Sequence, residues 1–314
     1  MSSGDFLLYN NFKMRNEPHW HHYIPQFLIR NFSSRGDGFV RYYSLKKKEI
    51  TNMPTEEVFA YYDLYRDETN NPNDPVKIES DLAKYEGEIA KLLKDKFYRG
   101  NEIILTSNEE DKIKLFFAIM MYRNAQVNKI FSDKVPEDLK ELIQQNIPEG
   151  DPNDVWKRNL GYLVNCRSLK EVVDHPGIDD FFRNSVFYAT FGLFGTYLIV
   201  AERRGNSEFV LGDSFPYTHM SIAKDGTKIP LFLYFPISPE RIIILATSLI
   251  KKTPQSAIII DEALLRMPTV TNGKMKYTVK KIYEKDVDFI NGFAFRTATK
   301  GIAFRDEDKV KLPE

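Results

Sequence analysis

Cysteine is almost absent from this sequence, since Cys166 is the only one in 314 residues. A single cysteine can form neither an intrachain disulfide nor a metal site built from several thiolates, so both are excluded. The surrounding segment, LGYLVNCRSL, is mixed in polarity and favours a small buried side chain over a nucleophile. The fold must therefore be stabilised by its core.

The chain also lacks an excess of either charge and any long apolar run. Lys plus Arg and Asp plus Glu both number 44, which gives a formal net charge of zero. Binding of nucleic acid would therefore have to rest on a local patch, because counterion release usually needs a basic excess. No apolar run approaches the roughly 18 residues that a membrane span requires, and the segment MSSGDFLLYNNFKMRN has no signal-peptide pattern. We expect a cytoplasmic protein with no membrane partner.

Several common catalytic motifs are missing as well. The sequence has no GxxxxGK motif followed by Ser or Thr, no GxGxxG after a strand, no HExxH, no CxxC and no GxSxG. Walker-type NTPases, common dehydrogenases, zincins and α/β-hydrolases are therefore poor matches.

Helical patterns dominate the first half of the chain. Apolar residues recur at helical spacing from Val76 to Tyr98, and a capping box of Ser107 with Glu110 opens a second helix through KIKLFFAIMMYRNAQVNKIF. The middle of that second helix is apolar nearly all round, which places it at the centre of the core. Further helices are predicted at Pro136–Asn146, Asp151–Val164, Ile178–Thr190 and Glu284–Thr297.

Strand patterns dominate the second half. Short β-rich runs are predicted at Tyr197–Arg203, Glu208–Leu211, Leu231–Phe235 and Arg241–Ala246, and an early β-hairpin at Gly38–Leu45 and Glu49–Met53. The order indicates an α+β fold, in which a helix-rich N-terminal and central part packs on a mainly antiparallel sheet of later strands that the hairpin could join. We predict an extension at 1–18, a single α+β domain at 19–305 and a C-terminal tail at 306–314.

Three histidines stand close together in the segment HWHHYIPQFLIRNF, at His19, His21 and His22. If this segment is extended, His19 and His21 point to one face and His22 to the other. Two imidazoles on one face can bind a metal, although the usual third ligand is not identified. The alternative is that one histidine is buried and hydrogen-bonded while the others are exposed.

A short helix is predicted directly after the histidines. Pro25 is suited to open a helix, on which Gln26 and Arg30 share a face one turn above His22. An imidazole, a carboxamide and a guanidinium would then converge. Such a set can bind a phosphate and transfer a proton.

Three charged residues on the predicted helices lack local partners. Glu79 and Glu86 share one helix face, and neither has a Lys or Arg three or four positions away. The neighbours of Arg123 are apolar, so its buried charge needs a carboxylate or a bound anion. Pairing with Glu79 or Glu86 is one interpretation, and a role as a phosphate or carboxylate ligand is the other.

Two further polar residues are candidates for the site. Asp213 follows a strand in the run FVLGD, where an aspartate serves either as a catalytic carboxylate or as a turn former. Asn291 lies on a small-residue face of the last helix, where it can make a core hydrogen bond or orient a histidine or a substrate.

The segment HHYIPQFLIRNF at 21–32 resembles the opening motif HHYVPQFLLRNF of an uncharacterised, mostly bacterial family, domain of unknown function 4238. The resemblance extends through weaker features over roughly residues 19–300, including Asp63–Tyr65, Tyr122 with Arg123, and Phe235–Pro239. The chain departs from the family pattern Ser-Asp-Asn-Pro-Val at Gly212–Pro216. The family name carries no activity, so the resemblance implies a shared site and not a reaction.

The mixture of histidine, arginine and unpaired carboxylates leads to the hypothesis of a phosphodiester-hydrolysing enzyme, most simply a nuclease of bacterial defence or toxin systems. Its partner would be a nucleic acid or a nucleotide, and its cofactor Mg²⁺ or Mn²⁺. Two alternatives are open: a non-catalytic sensor or interaction protein with a buried polar network, and a hydrolase of small phosphorylated metabolites. The candidate residues are, for catalysis, His21, His22, Glu86 and Asp213; for substrate binding, Gln26, Arg30, Arg123 and Asn291; and for metal binding, Glu79, Glu86 and Asp213.

Overall fold

A computed structural model describes residues 19–34, 36–123, 151–177, 195–222, 228–247 and 268–313 of the chain. The predicted helices at Pro136–Asn146 and Ile178–Thr190 lie outside these ranges. So do the predicted extension at 1–18 and the part of the second predicted helix that follows Arg123.

The described ranges contain six α-helices, of which all but α5 were predicted from the sequence. The amphipathic pattern and the capping box predicted α2 and α3, and the helices at Asp151–Val164 and Glu284–Thr297 are also confirmed as α4 and α6. Within the same ranges, no helix combines the length and apolar character that a bilayer crossing requires. The helices are α1 Gln26–Arg30, α2 Lys77–Lys96, α3 Ser107–Arg123, α4 Pro152–Asn165, α5 Leu169–Asp174 and α6 Glu284–Thr297.

The strands form four sheets, which are antiparallel except for one parallel pair, β13 with β6. Their neighbour orders are β1-β4, β13-β6-β10-β9-β8, β11-β12-β5 and β3-β2-β14-β7. The strands are β1 Trp20–His22, β2 Phe39–Ser44, β3 Glu49–Pro54, β4 Ala60–Tyr62, β5 Glu102–Thr106, β6 Thr196–Arg204, β7 Leu211–Gly212, β8 Tyr217–Ile222, β9 Lys228–Pro236, β10 Arg241–Thr247, β11 Thr269–Thr271, β12 Lys274–Thr278, β13 Lys280–Tyr283 and β14 Gly301–Phe304.

These elements make an α+β fold, as the order of helical and strand patterns predicted. The early hairpin β2-β3 does join late strands, but in a sheet of its own with β14 and β7, apart from the five-stranded sheet of β6, β9 and β10. Gly301 of β14 allows this contact, because a Cβ there would lie 2.4 Å from the Tyr42 ring of β2 and from a backbone oxygen of Tyr43.

The predicted strand at Glu208–Leu211 was wrong in its first three residues, since only Leu211 belongs to β7. The backbone N–H groups of this segment bind scattered partners instead of a neighbouring strand. Glu208 N donates to Lys309 O at 3.0 Å, and Phe209 N donates to Pro239 O at 3.0 Å. The hydrogen bond to Lys309 also holds the C-terminal segment 306–313 against the fold, where Val310 is buried.

The core is built around α3, as its apolar middle predicted. Its residues from Ile113 to Met120 are buried. Phe116 and Phe117 pack against Phe235 of β9, with ring centroids 5.3 and 4.4 Å apart. Cys166 is buried, and burial raises the pKa of its thiol to about 11, which fits a packing role rather than a nucleophile.

Candidate functional site

His21 and His22 lie on a two-stranded ribbon formed by β1 and β4, and His19 directly precedes β1. Trp20 pairs with Tyr62, His21 with Tyr61 and His22 with Ala60. Since side chains alternate along a strand, Trp20 and His22 project to one face of the ribbon and His21 to the other. The ribbon therefore separates the neighbouring imidazoles, as predicted for an extended segment.

His21 faces the interior and is fully buried. Its Nδ1 atom accepts a hydrogen bond of 2.9 Å from the backbone N–H of Tyr65, and its ring stacks on the Tyr65 ring at 5.7 Å. A side chain in this position cannot reach a solvent-borne substrate. The sequence-based candidate His21 is thus the buried, hydrogen-bonded histidine that the alternative interpretation expected.

His22 is half-buried, and its Nε2 atom lies 3.2 Å from the backbone oxygen of Thr55. Because a carbonyl oxygen only accepts, Nε2 carries the proton of this contact. Burial lowers the pKa of His22 below its ordinary value of 6.5, and the positive charges of Arg123 and Arg30 lower it further. The imidazole is therefore neutral at pH 7 and presents an Nδ1 lone pair, which has no hydrogen-bond partner in the described part of the chain.

Arg123, at the end of α3, binds the backbone of the motif rather than the imidazole. Its Nη2 donates to the backbone oxygen of His22, and its Nε donates to the Tyr65 hydroxyl at 3.0 Å. The same hydroxyl donates to the His22 oxygen at 3.3 Å. Nη1 donates to Glu86 Oε1 on α2 at 2.5 Å. The predicted pairing with Glu86 is confirmed, and each of the three nitrogens of Arg123, which is 1% exposed, donates to a protein group.

Glu79 and Glu86 lie together near the Arg123 guanidinium but differ in their contacts. Glu86 holds the ion pair, and burial still raises its pKa. Glu79 makes no hydrogen bond within the described ranges. Burial raises the pKa of Glu79 to about 7, and the charge of Glu86 adds to the shift while Arg123 opposes it. Glu79 therefore titrates near neutrality.

The short helix α1 runs from Gln26 to Arg30, as Pro25 predicted, and the positive charge of Arg30 lowers the pKa of His22. Arg30 is exposed, and Gln26 is half-buried with no hydrogen bond inside the described ranges. Asn31 anchors the end of α1, because its Nδ2 donates to the Tyr98 hydroxyl at 2.7 Å and to Ile237 O at 2.9 Å. Both side chains of α1 remain available to a ligand.

Asp213 does not join the Arg123 network through any hydrogen bond. It is buried and accepts three hydrogen bonds of 2.6–2.8 Å, from Thr299 N, Thr299 Oγ1 and Lys300 N. Its carboxylate therefore fixes the turn that leads into β14. The turn-forming interpretation describes these contacts, and the sequence-based assignment of Asp213 to catalysis is revised accordingly.

Asn291 is likewise engaged by the main chain. Its Nδ2 donates to Glu208 O at 2.8 Å, and its Oδ1 accepts from Val210 N at 3.1 Å. The residue is 3% exposed, so its carboxamide joins α6 to the segment before β7. The core hydrogen bond is observed. Because both polar atoms of the buried carboxamide already bind the main chain, Asn291 is not placed to contact a substrate.

The candidate metal ligands do not form one ligand set. Among the residues that the structure describes, no three His, Cys, Asp or Glu side chains are arranged to hold a metal ion. Glu86 is paired with Arg123, and the oxygens of Asp213 are occupied by Thr299 and Lys300. Dependence on Mg²⁺ or Mn²⁺ stays a prediction, which activity assays can test.

Sequence reasoning missed four residues that contribute to the site. Thr55 orients His22 through a backbone oxygen, which no side-chain pattern reveals. Tyr65 links Arg123 to the motif, and the only sequence signal for this role was its place in the segment Asp63–Tyr65 of the family resemblance. Trp20 and Tyr62 are 58% and 62% exposed and meet edge to face at 6.1 Å, beside His22. The pairing of β1 with β4, which is not apparent from either segment alone, brings these two rings together.

A family model described as "Protein of unknown function (DUF4238)" matches residues 20–308. No curated protein and no solved structure gives a significant match to the chain. The match begins within the histidine segment and spans every residue of the candidate site.

Removing the Glu86 carboxylate should destabilise the fold strongly. Glu86→Ala leaves the buried Arg123 charge uncompensated, which costs ~3 kcal/mol or more of unfolding free energy. The control Glu88→Ala, two positions further along α2, removes an exposed pair with Lys112 and should cost only ~0.5 kcal/mol. Urea unfolding of both variants measures the difference, and equal losses would show that the Arg123 pair contributes no more than a surface contact.

Glu79 should make the stability depend on pH. Because its folded pKa is raised from 4.5 to about 7, the folded state holds a proton that the unfolded state releases, and stability falls as pH rises through this window. Glu79→Gln should therefore match the wild type below pH 4.5 and exceed it above pH 7. Urea unfolding at both pH values tests this, with the exposed Glu68→Gln as control. A Glu79→Gln variant that is no more stable at high pH contradicts the assignment.

Proposed function

The chain belongs to the family of proteins of unknown function DUF4238, and because that name assigns no activity, we propose from the site alone that it is a nuclease. The proposed reaction is hydrolysis of a phosphodiester in a single-stranded nucleic acid, with His22 as general base. The observation that carries the proposal is the neutral, oriented His22 imidazole, which shares one face of the β1-β4 ribbon with two exposed aromatic rings. The defence or toxin setting stays a prediction, since no residue of the site bears on it.

The contacts of His22 suit proton transfer. The Thr55 carbonyl fixes the ring through Nε2–H, so the basic Nδ1 is left for the substrate side. In the proposed step, Nδ1 takes a proton from water as the water oxygen bonds to phosphorus. The bond from phosphorus to the leaving oxygen breaks, and that oxygen takes a proton from solvent. His22 then returns its own proton to solvent.

Arg30 and Gln26 supply the groups that a phosphate needs. The charge of Arg30 acts on His22, which places the guanidinium within electrostatic reach of the imidazole. A guanidinium stabilises the negative charge that develops on a phosphoryl group in the transition state. Arg123 does not take this role, because it is buried and each of its three nitrogens already donates to a protein group. Its contribution is to hold the His22 backbone in place.

Trp20 and Tyr62 favour a single strand as the substrate. The two rings form an aromatic platform (Trp20 and Tyr62), and Trp20 lies two positions from His22, about 6.6 Å along the strand. Unpaired bases stack on exposed aromatic rings, whereas bases inside a duplex are not available to them. Because the chain carries no net charge, stacking rather than counterion release is expected to supply the affinity.

A non-catalytic interaction protein is the second candidate, and one observation favours it. Arg123, Glu86, Tyr65 and the His22 carbonyl form a mutually paired network that needs no ligand. Such a network fixes the N-terminal ribbon against α2 and α3 whether or not any reaction occurs. The two candidates differ in whether the His22 imidazole, which lies outside the paired network, is required for turnover.

Replacing His22 should abolish hydrolysis without unfolding the protein. His22→Gln keeps a donor for Thr55 but removes the base, so kcat/KM should fall ~10²–10⁴-fold. The assay uses a chromogenic phosphodiester, labelled single-stranded DNA and RNA, duplex DNA and small phosphorylated metabolites, each with Mg²⁺, Mn²⁺ or a chelator. Because the pKa of His22 lies below 6.5, wild-type rates should be flat above that pH and decline below it.

The control for charge at this site is matched by residue type. Arg30→Ala should lower kcat/KM, whereas Arg99→Ala, also an exposed arginine, should not. If wild-type and His22→Gln proteins are both folded and equally inert on every substrate, the enzyme proposal fails and the interaction protein is favoured. Turnover confined to the small metabolites would reassign the substrate.

The aromatic platform should matter for polynucleotides alone. Trp20→Ala should weaken binding of a short single strand about tenfold or more and leave turnover of the chromogenic diester unchanged. The control Tyr283→Ala removes another exposed ring, 55% exposed, from a different sheet. Fluorescence anisotropy of a labelled single strand measures binding to all three proteins, because the exposed tryptophan Trp20 is absent from the Trp20→Ala variant and Trp156, the other tryptophan, is buried. A single strand that binds both variants equally contradicts the platform.

A further inference from the structure

A polar groove lies between α2 and α4, apart from His22. Its cavity volume is about 390 Å³, which lies within the range of small-molecule sites. Lys77 and Asp81 line it from α2, and Arg158, Tyr162 and Asn165 line it from α4. Nothing in the proposed nuclease reaction uses these side chains.

Arg158 is the unexplained group in this groove. Its Nε atom is fully buried and has no hydrogen-bond partner, and its guanidinium makes no ion pair with any residue in the described ranges. A buried donor without a partner costs free energy, and native proteins rarely leave one unsatisfied. A bound anion would supply the acceptor that the protein does not.

Asp81, the carboxylate that lines the groove, does not serve Arg158. Asp81 is bonded to Lys77 at 2.7 Å and to Asn165 Nδ2 at 3.1 Å, and it lies 3.5 Å from Lys84. Burial of Asp81 is thus offset by two lysines and an amide. With Asp81 neutralised by Lys77, the groove retains the positive charge of Arg158.

The amide groups of the groove point to a ligand that also carries donors. Asn165 uses its Nδ2 for Asp81 and Gly161 O, and Asn71 uses its Nδ2 for Asp67. Their Oδ1 atoms accept no hydrogen bond from the described residues. These oxygens are therefore free to accept from hydroxyl or amino groups of a ligand.

We infer that the groove between α2 and α4 binds a small phosphate monoester of nucleotide size. Its phosphate pairs with the Arg158 guanidinium, which matches phosphate oxygens with two parallel donors. Its sugar hydroxyls or base amino group donate to Asn71 and Asn165. This site is independent of the proposed nuclease reaction and stands whether or not His22 is catalytic.

The test is calorimetric titration of the full chain with three probes: AMP, ribose 5-phosphate and inorganic phosphate. AMP should bind the wild type, and Arg158→Gln should weaken that binding about tenfold or more, since a charge-assisted pair is lost. Arg167→Gln, which changes an exposed arginine just beyond α4, should bind as the wild type does. Thermal unfolding of each variant checks that the fold is retained.

A second variant keeps the inference testable if Arg158→Gln does not fold. Asn165→Asp places a negative charge in the groove at an exposed position and should weaken AMP binding by repelling the phosphate. Adenosine serves as the uncharged comparison. The inference is overturned if no probe binds the wild type, if the folded Arg158→Gln or Asn165→Asp variant binds AMP as well as the wild type, or if adenosine binds as tightly as AMP.

Discussion

The buried guanidinium of Arg123 is the contact on which the rest of the site depends. It joins the end of α3 to the backbone of His22, to the Tyr65 hydroxyl and to Glu86 of α2. Each partner comes from a different segment, so the ribbon and both central helices are positioned by one charge. An ion in that place is costly unless every donor is matched, and this requirement fixes the local geometry more tightly than apolar packing alone would.

The adjacent residues His21 and His22 have different roles in this arrangement: His21 supports the fold, and the His22 imidazole is available for the proposed chemistry. His21 is buried and accepts a hydrogen bond from Tyr65 N. The backbone of His22 is held by Arg123, and its imidazole is held by Thr55. A ring fixed at both ends loses little freedom when a substrate arrives, which is the condition for efficient proton transfer. Arg30 and Arg123 are the same residue type and differ in burial, and burial assigns their roles.

Much of the fold followed from local patterns. Helix α6 was predicted to its ends, and the hairpin β2-β3 and the opening of α3 were predicted because periodicity, turn residues and capping boxes are local signals. The unmatched charge of Arg123 also predicted its carboxylate partner. The pairing of β1 with β4 was beyond such reasoning, and so were the partners of Asp213 and Asn291, although a turn and a core hydrogen bond were among the interpretations. Their partners are main-chain atoms brought close by the tertiary structure, and a sequence does not show which backbone groups will be within reach of a side chain.

The order of the Arg123 partners along the chain has a consequence for synthesis. His22, Tyr65 and Glu86 all leave the ribosome before Arg123, which comes at the end of α3. Until that arginine emerges, the carbonyl of His22 and the carboxylate of Glu86 lack the donor that joins them, and the ribbon has no charged contact with the helices. The nascent N-terminal segment must therefore wait for a late residue before it can dock. Truncation before Arg123 would remove the element that completes the site, although His19, His21 and His22 would still be present.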